Sequence, residues 1–176
     1  MKTILLLLCL ITGLGARSQG VNGALDNVIL TQADAMGKAF IAKDYAAFVK
    51  YSHPTVVQMM GGKAKMAEDT KKSFEEFEAE GVVFVNVTFG PPSKILVVGG
   101  EMQCTFNEMI EMRIPGGKLT AFTNVIAISN DNGANWYFID CSENNAQAMR
   151  KLIPSLSPEL ILPEPIGPAF EEDPKP

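Results

Sequence analysis

Four side chains in this sequence have the type and setting to move protons: Glu108, His53, Tyr51 and Asp140. Glu108 stands in "TFNEMIEM", where alternation puts it on the same face as Phe106, Ile110 and Met112. An apolar face disfavours the charged form of a carboxyl, so its pKa should rise toward neutrality, where it can give or take a proton. The alternative, and the more usual outcome for such a carboxyl, is a hydrogen bond to a helix residue or a place at the pocket's edge. His53 is the chain's one histidine, and histidine is the side chain whose ordinary pKa lies nearest neutral. It precedes Pro54, at a junction that favours a capping role. Tyr51, two residues earlier, is a hydrogen-bond donor that could assist. Asp140 closes "WYFID", and an aspartate at a strand end more often caps the next turn than does chemistry.

Other chemistries are excluded by what is missing. One histidine and two separated thiols cannot assemble a zinc site, and no metal or cofactor is expected. Gly61-Gly62-Lys63 lacks the spaced glycines and the Ser/Thr after lysine that make a phosphate loop. The local context suggests no Ser-His-Asp or Cys-His arrangement.

The elements that must position these groups follow an expected leader. Residues 1–18 carry Lys2, an apolar run from Ile4 to Ile11 and a small-residue end with Ala16 and Ser18. That is the layout of a secretory signal, too short to span a membrane, with cleavage before Gln19. Cys9 sits behind Leu8 inside the run, which argues against a lipid anchor. The mature chain is expected to be exported, periplasmic or secreted, and to leave the membrane. Loss of Lys2 and Arg17, with no acidic residue before position 19, takes the formal charge from −5 to −7. An acidic surface speaks against nucleic acid and anionic membranes as partners.

Residues 19–153 read as one α+β domain, helices first and strands after. Leu25, Val28, Ile29, Met36, Ala39 and Phe40 form a helical stripe. Asp44 is placed to cap a short second helix bearing Phe48 and Val49. "HPTVVQMM" reads as a brief strand after a non-helical His53. Met66, Thr70, Phe74 and Phe77 stripe a third helix that Gly81 ends in a left-handed conformation. From Val82 the period is two, through "VVFVNVTF", "SKILVV", "EMQCTFNEMIEMRI", "KLTAFTNVIAIS" and "ANWYFIDC", with turn residues between them. Residues 154–176 hold seven of eleven prolines. "SLSPELILP" can lie against the body, whereas "EEDPKP" is expected to be disordered.

Register decides which side chains look inward. Two-residue turns at Gly116–Gly117 and Asn132–Gly133 would set Glu108 opposite Val125, and Val125 opposite Asp140. One face then collects Met102, Cys104, Phe106, Glu108, Ile110 and Met112 with Ala121, Thr123, Val125, Ala127, Trp136, Phe138 and Asp140. Large walls beside a small-residue middle strand make a concavity. Its expected ligand-binding residues are Met102, Phe106, Met112, Val125, Trp136, Phe138 and Asp140, although stripes of this kind also build ordinary core. The other face, with Gln103, Thr105, Ile126, Ile128 and Ile139, could be a subunit interface. Cys104 falls opposite Ser129 in this register, roughly 19 Å from Cys141. A bridge needs less than about 7 Å, so two free thiols are expected.

The helix order, "YSHPTVVQMMGGKAKM" and the closing "DNGANWYFID" together resemble the nuclear transport factor 2-like superfamily over residues 24–141, closest to uncharacterised exported bacterial members. The resemblance implies a cone-shaped, cystatin-like fold with helices in the concave face of a curved antiparallel sheet, a pocket inside, and often a homodimer through the outer face. It also implies either small-molecule binding or isomerase- and cyclase-type acid–base chemistry. Isomerase-type relatives carry an acid or base near the end of the strand after the second helix. Thr55–Met60, read as that strand, has no carboxylate. The expected role is therefore binding of an apolar small molecule or a partner. The alternatives are proton transfer on an apolar carbonyl compound, with Glu108 assisted by His53 or Tyr51, and a structural dimer.

Overall fold

The computed structural model describes residues 18–141, 146–163 and 166–174. All of the expected leader except Ser18 lies outside them, as do Lys175 and Pro176. No helix among the described residues is long and apolar enough to cross a membrane.

The chain is α+β, with N-terminal helices against one face of a curved, unclosed six-stranded antiparallel sheet. Helix α1 (Ser18–Ile41) presents Ile29, Ala33 and Met36 to the sheet, where they join Cys104, Phe106, Trp136 and Phe138 in the inner core. Helix α2 (Tyr45–Phe48) is capped by Asp44, whose carboxylate accepts from the Ala47 N–H at 3.0 Å. A 3-10 turn, Val49–Tyr51, follows. Helix α4 (Lys63–Ala79) buries Met66 and Phe74 and ends at Gly81, whose φ of +82° is left-handed, as the stripe and glycine imply.

One segment departs from the sequence reading. Pro54–Met59 is not a strand but helix α3. His53 is extended, as a residue before proline must be. However, proline at the first helical position loses no hydrogen bond, because that N–H is unpaired in any helix. His53 serves as N-cap, its Nδ1 accepting from the Thr55 N–H at 3.3 Å.

The spine of the sheet is the hairpin of β3 (Glu101–Ile114) and β4 (Gly117–Ser129). β1 (Val83–Phe89) and β2 (Leu96–Val98) share the open edge of β3. β5 (Tyr137–Asp140) and β6 (Ala169–Glu172) share that of β4. The β4–β5 register is the expected one, with Val125 opposite Asp140. The β3–β4 register is shifted by two. Ile114 pairs Gly117, so the turn is Pro115–Gly116, and Glu108 faces Thr123 in place of Val125. Pro115 presets its own φ, and Gly116 takes φ +88°, which suits a type II turn. A slip of two keeps every side chain on its expected face, since side chains alternate with period two.

Gly117 has a different task from the one expected. A Cβ there would fall 2.2 Å from the carbonyl of Glu171 and 2.8 Å from the Phe170 ring, so glycine lets β6 cross close to β4. The tail is thus not disordered as far as Asp173: residues 169–172 pair with β4, and Asp173 binds Arg113 at 2.8 Å.

The outer face of the sheet is covered by this chain's own C-terminal part. Helix α5 (Ala146–Leu152) and the residues after it set Met149, Ile153, Leu156 and Leu160 on Ile126, Ile128 and Ile139. Several polar groups of that face are met by backbone: Gln103 binds Ser155 and Ser157, Thr105 binds the Ile161 carbonyl, and the Asn124 side-chain amide N–H binds that of Pro163, while Asn124 Oδ1 has no partner among the described residues. Residues expected to face a second subunit are therefore sealed by residues 146–163. Cys104 lies in the inner core and Cys141 in the outer one, both unpaired. With Cys104 now opposite Ala127, their Cα atoms are roughly 14 Å apart.

Candidate functional site

Between the helices and the inner face of the sheet lies a cavity of about 270 Å³. Its helical wall comes from Met36, Gly37 and Phe40 of α1, Phe48 of α2, Val56 of α3 and Met66 of α4. Gly37 lets α1 pass close to β1, since a Cβ there would lie 3.1 Å from the Phe89 ring. The sheet contributes Glu108, Ile110, Val125, Phe138 and Asp140, and Ser52 stands at the junction of the 3-10 turn with β5.

Glu108 is the buried ionisable residue of this lining, only 8 % exposed. Burial pushes its carboxyl up to about 8, with the nearby Asp140 carboxylate adding to the rise. Among the described residues no donor or acceptor binds its side chain, and its oxygens open to the cavity. Asp140 is exposed at the rim, where its Oδ1 accepts the Thr123 hydroxyl at 2.6 Å. Thr123 is also the residue opposite Glu108, which leaves the two carboxyl-bearing residues about 12 Å apart at the backbone. They do not share a proton directly.

Of the residues expected to act together, the fold brings Glu108, Val125, Phe138 and Asp140 to one cavity. His53 is elsewhere: buried, engaged as the α3 cap, and beside Tyr137. Burial lowers its pKa, and Glu101 partly offsets this. Tyr51 stacks against Phe138 with ring centroids 6.4 Å apart and packs on the inner core. Neither lines the cavity with Glu108. Phe106 and Trp136 are core, with the indole N–H donating to the Gly133 carbonyl at 3.0 Å. Met102 packs against that core, and Met112 pairs with Leu119 and Phe84 away from the cavity.

The sequence reading missed the helical half of the lining. Met36, Phe40 and Phe48 were visible as apolar stripe positions, but periodicity alone does not say whether a stripe residue meets another side chain or an empty space. Ser52 carried no signal. Burial raises the Cys104 and Cys141 thiols to about 12 each, so neither is a nucleophile at neutral pH. Among the described residues no group of three or more His, Cys, Asp or Glu side chains could hold a metal.

No family model and no curated protein matches this chain. Among solved structures, it is similar to an NTF2-like protein with a cystatin-like fold from Novosphingobium aromaticivorans. The TM-score is 0.49 at 15 % identity, covering 80 % of this chain and 99 % of that one.

Proposed function

We propose that this chain binds a small, largely apolar molecule in the cavity between α1–α4 and the inner sheet face, with protonated Glu108 donating a hydrogen bond to an oxygen of the ligand. The observation that carries this reading is a buried carboxyl with no hydrogen-bond partner among the described residues, opening into a mostly apolar space. A buried polar group left unsatisfied costs about 1–3 kcal/mol, and a ligand oxygen would remove that cost. The volume, near the lower end of the usual range of about 300–1,000 Å³, suits a compact ligand. With a cleavable leader over residues 1–18, binding would take place after export.

The test is thermal shift with small aromatic and alicyclic ketones and alcohols at pH 6 and pH 9. Stabilisation by a few degrees at pH 6 is expected, weaker at pH 9, where Glu108 is ionised, and absent in Glu108→Leu. If no compound's effect depends on Glu108 or on pH, the reading is wrong. A second reading, proton transfer on an apolar carbonyl compound, is favoured by the same pKa of about 8. It keeps the proton on Glu108 near neutrality yet within reach of transfer. A bell-shaped pH–rate profile that Glu108→Gln abolishes would distinguish this reading from binding alone.

A further inference from the structure

A second hollow lies on the other side of Ser52. It is an open groove of about 750 Å³ at the start of α4, lined by Lys50, Ser52, Val57, Gly62, Lys63 and Tyr137 among others. Three features there are unexplained by the fold. Helix α4 has no side-chain cap and no acid in its first turn, so the N–H groups of Lys63, Ala64 and Lys65 and the positive end of the helix dipole stay unneutralised. The first turn holds lysine instead, at 63 and 65. Lys65 is paired with Asp69, but Lys50 and Lys63 have no carboxylate partner among the described residues. Ser52 is 7 % exposed, and its hydroxyl has no hydrogen-bond partner among the described residues. It is not walled in by protein either, and Ser52 lines both this groove and the inner cavity.

Uncapped helix N–H groups, two unpaired ammonium groups and a buried hydroxyl ask for the same thing, a compact group with several negative oxygens. Gly61 and Gly62, at φ +84° and +99°, bring the chain into the helix without a side chain over the groove, and a Cβ at Gly62 would meet nothing within 4 Å. Pro54, Val57 and Tyr137 supply an apolar flank beside the charged end. We infer that this groove binds a phosphate or sulfate monoester, its oxyanion between Lys50, Lys63, the start of α4 and the Ser52 hydroxyl, its organic part against Val57 and Tyr137. The inference shares Ser52 with the lining of the inner cavity but does not depend on Glu108.

The test is amide chemical-shift titration of the full chain with phenyl phosphate, phenyl sulfate and inorganic phosphate, each against sodium chloride at equal ionic strength. Saturable shifts at Lys63, Ala64 and Lys65 are expected. The phenyl esters should bind more tightly than inorganic phosphate, and comparing the two esters identifies the preferred oxyanion. Lys50→Ala with Lys63→Ala should weaken binding at least tenfold, and Ser52→Ala severalfold. Lys63→Glu should abolish binding while raising the melting temperature slightly, because an acid suits a helix N-terminus, so loss of binding there is not loss of fold. Glu108→Gln should leave binding unchanged. Shifts that sodium chloride reproduces, or an affinity that survives the double substitution, would overturn the inference.

Discussion

Two buried polar residues, one on each face of the sheet, are treated in opposite ways. On the outer face Gln103 is wholly buried and fully engaged: its amide donates to the Ser155 carbonyl and to Glu101, and its carbonyl accepts from the Ser157 N–H. On the inner face Glu108, almost as buried, binds nothing among the described residues and faces a cavity. Satisfied groups such as Gln103 hold elements together, and their burial needs no further explanation. Asn124 Oδ1 and Arg150 Nε on the outer side also lack a partner among the described residues, but they are shut in by protein. Glu108 adjoins an empty space that a ligand can fill, which is why the inner face is read as the binding face. Alternation assigns each residue to a face but does not say whether its polar atoms find partners.

This contrast can be broken or sharpened at three points. The largest effect should come from ending the chain after Leu152. That uncovers Ile126, Ile128 and Ile139, each worth about 1.5–3 kcal/mol when buried, a sum comparable with the stability of a whole domain. Loss of cooperative unfolding, followed by circular dichroism, is the expected result. If light scattering instead finds a folded dimer, the outer face can also serve a second subunit.

Next is Gln103→Ala, which strands the Ser155 carbonyl and the Ser157 N–H. A loss of about 2–4 kcal/mol in urea unfolding is expected. A loss under about 0.5 kcal/mol would mean that the C-terminal segment is held by its aliphatic contacts alone.

The smallest effect is at Glu108 and depends on pH. Its folded pKa, about 8, lies above the ordinary 4.5, so the folded state holds the proton over a window where the unfolded chain has lost it. The contribution is full below about 4.5 and is lost as pH rises through about 8. Glu108→Gln should therefore be nearly neutral at pH 5 and stabilising by about 1–3 kcal/mol at pH 9. His53 acts in the other sense: its pKa is lowered by burial, so its contribution is present above the ordinary 6.5 and is lost as pH falls. The comparison of Glu108→Gln with the parent at each pH cancels that term. Equal stabilities at both pH values would show that Glu108 is not held protonated by the fold.

Much of the fold was legible where one local rule had no rival. β3 spans Glu101–Ile114, as its unbroken alternation implies, and Gly81 ends α4 as its place after the apolar stripe implies. The errors fell where two rules share a residue. Pro54 keeps His53 out of helical geometry and also favours a helix that starts at itself; both rules hold, and the sequence reading applied only the first. Gly116 and Gly117 both suit a turn, yet Pro115 claimed the first place and the close pass of β6 required the second. The Glu171–Asp173 run looked too polar to order, because its partner strand lies more than fifty residues away.

The sequence by itself determined the class of fold, the inner or outer facing of the residues of β3, β4 and β5, and the placement of Glu108 among apolar neighbours, because period-two alternation survives a two-residue slip. Tertiary structure decided the rest: which face the C-terminal segment covers, that His53 and Tyr51 stand apart from Glu108, and that Met36, Phe40 and Val56 stop short of closing the space beside it. A cavity is contact left unmade between distant elements, and no local pattern of residues encodes it.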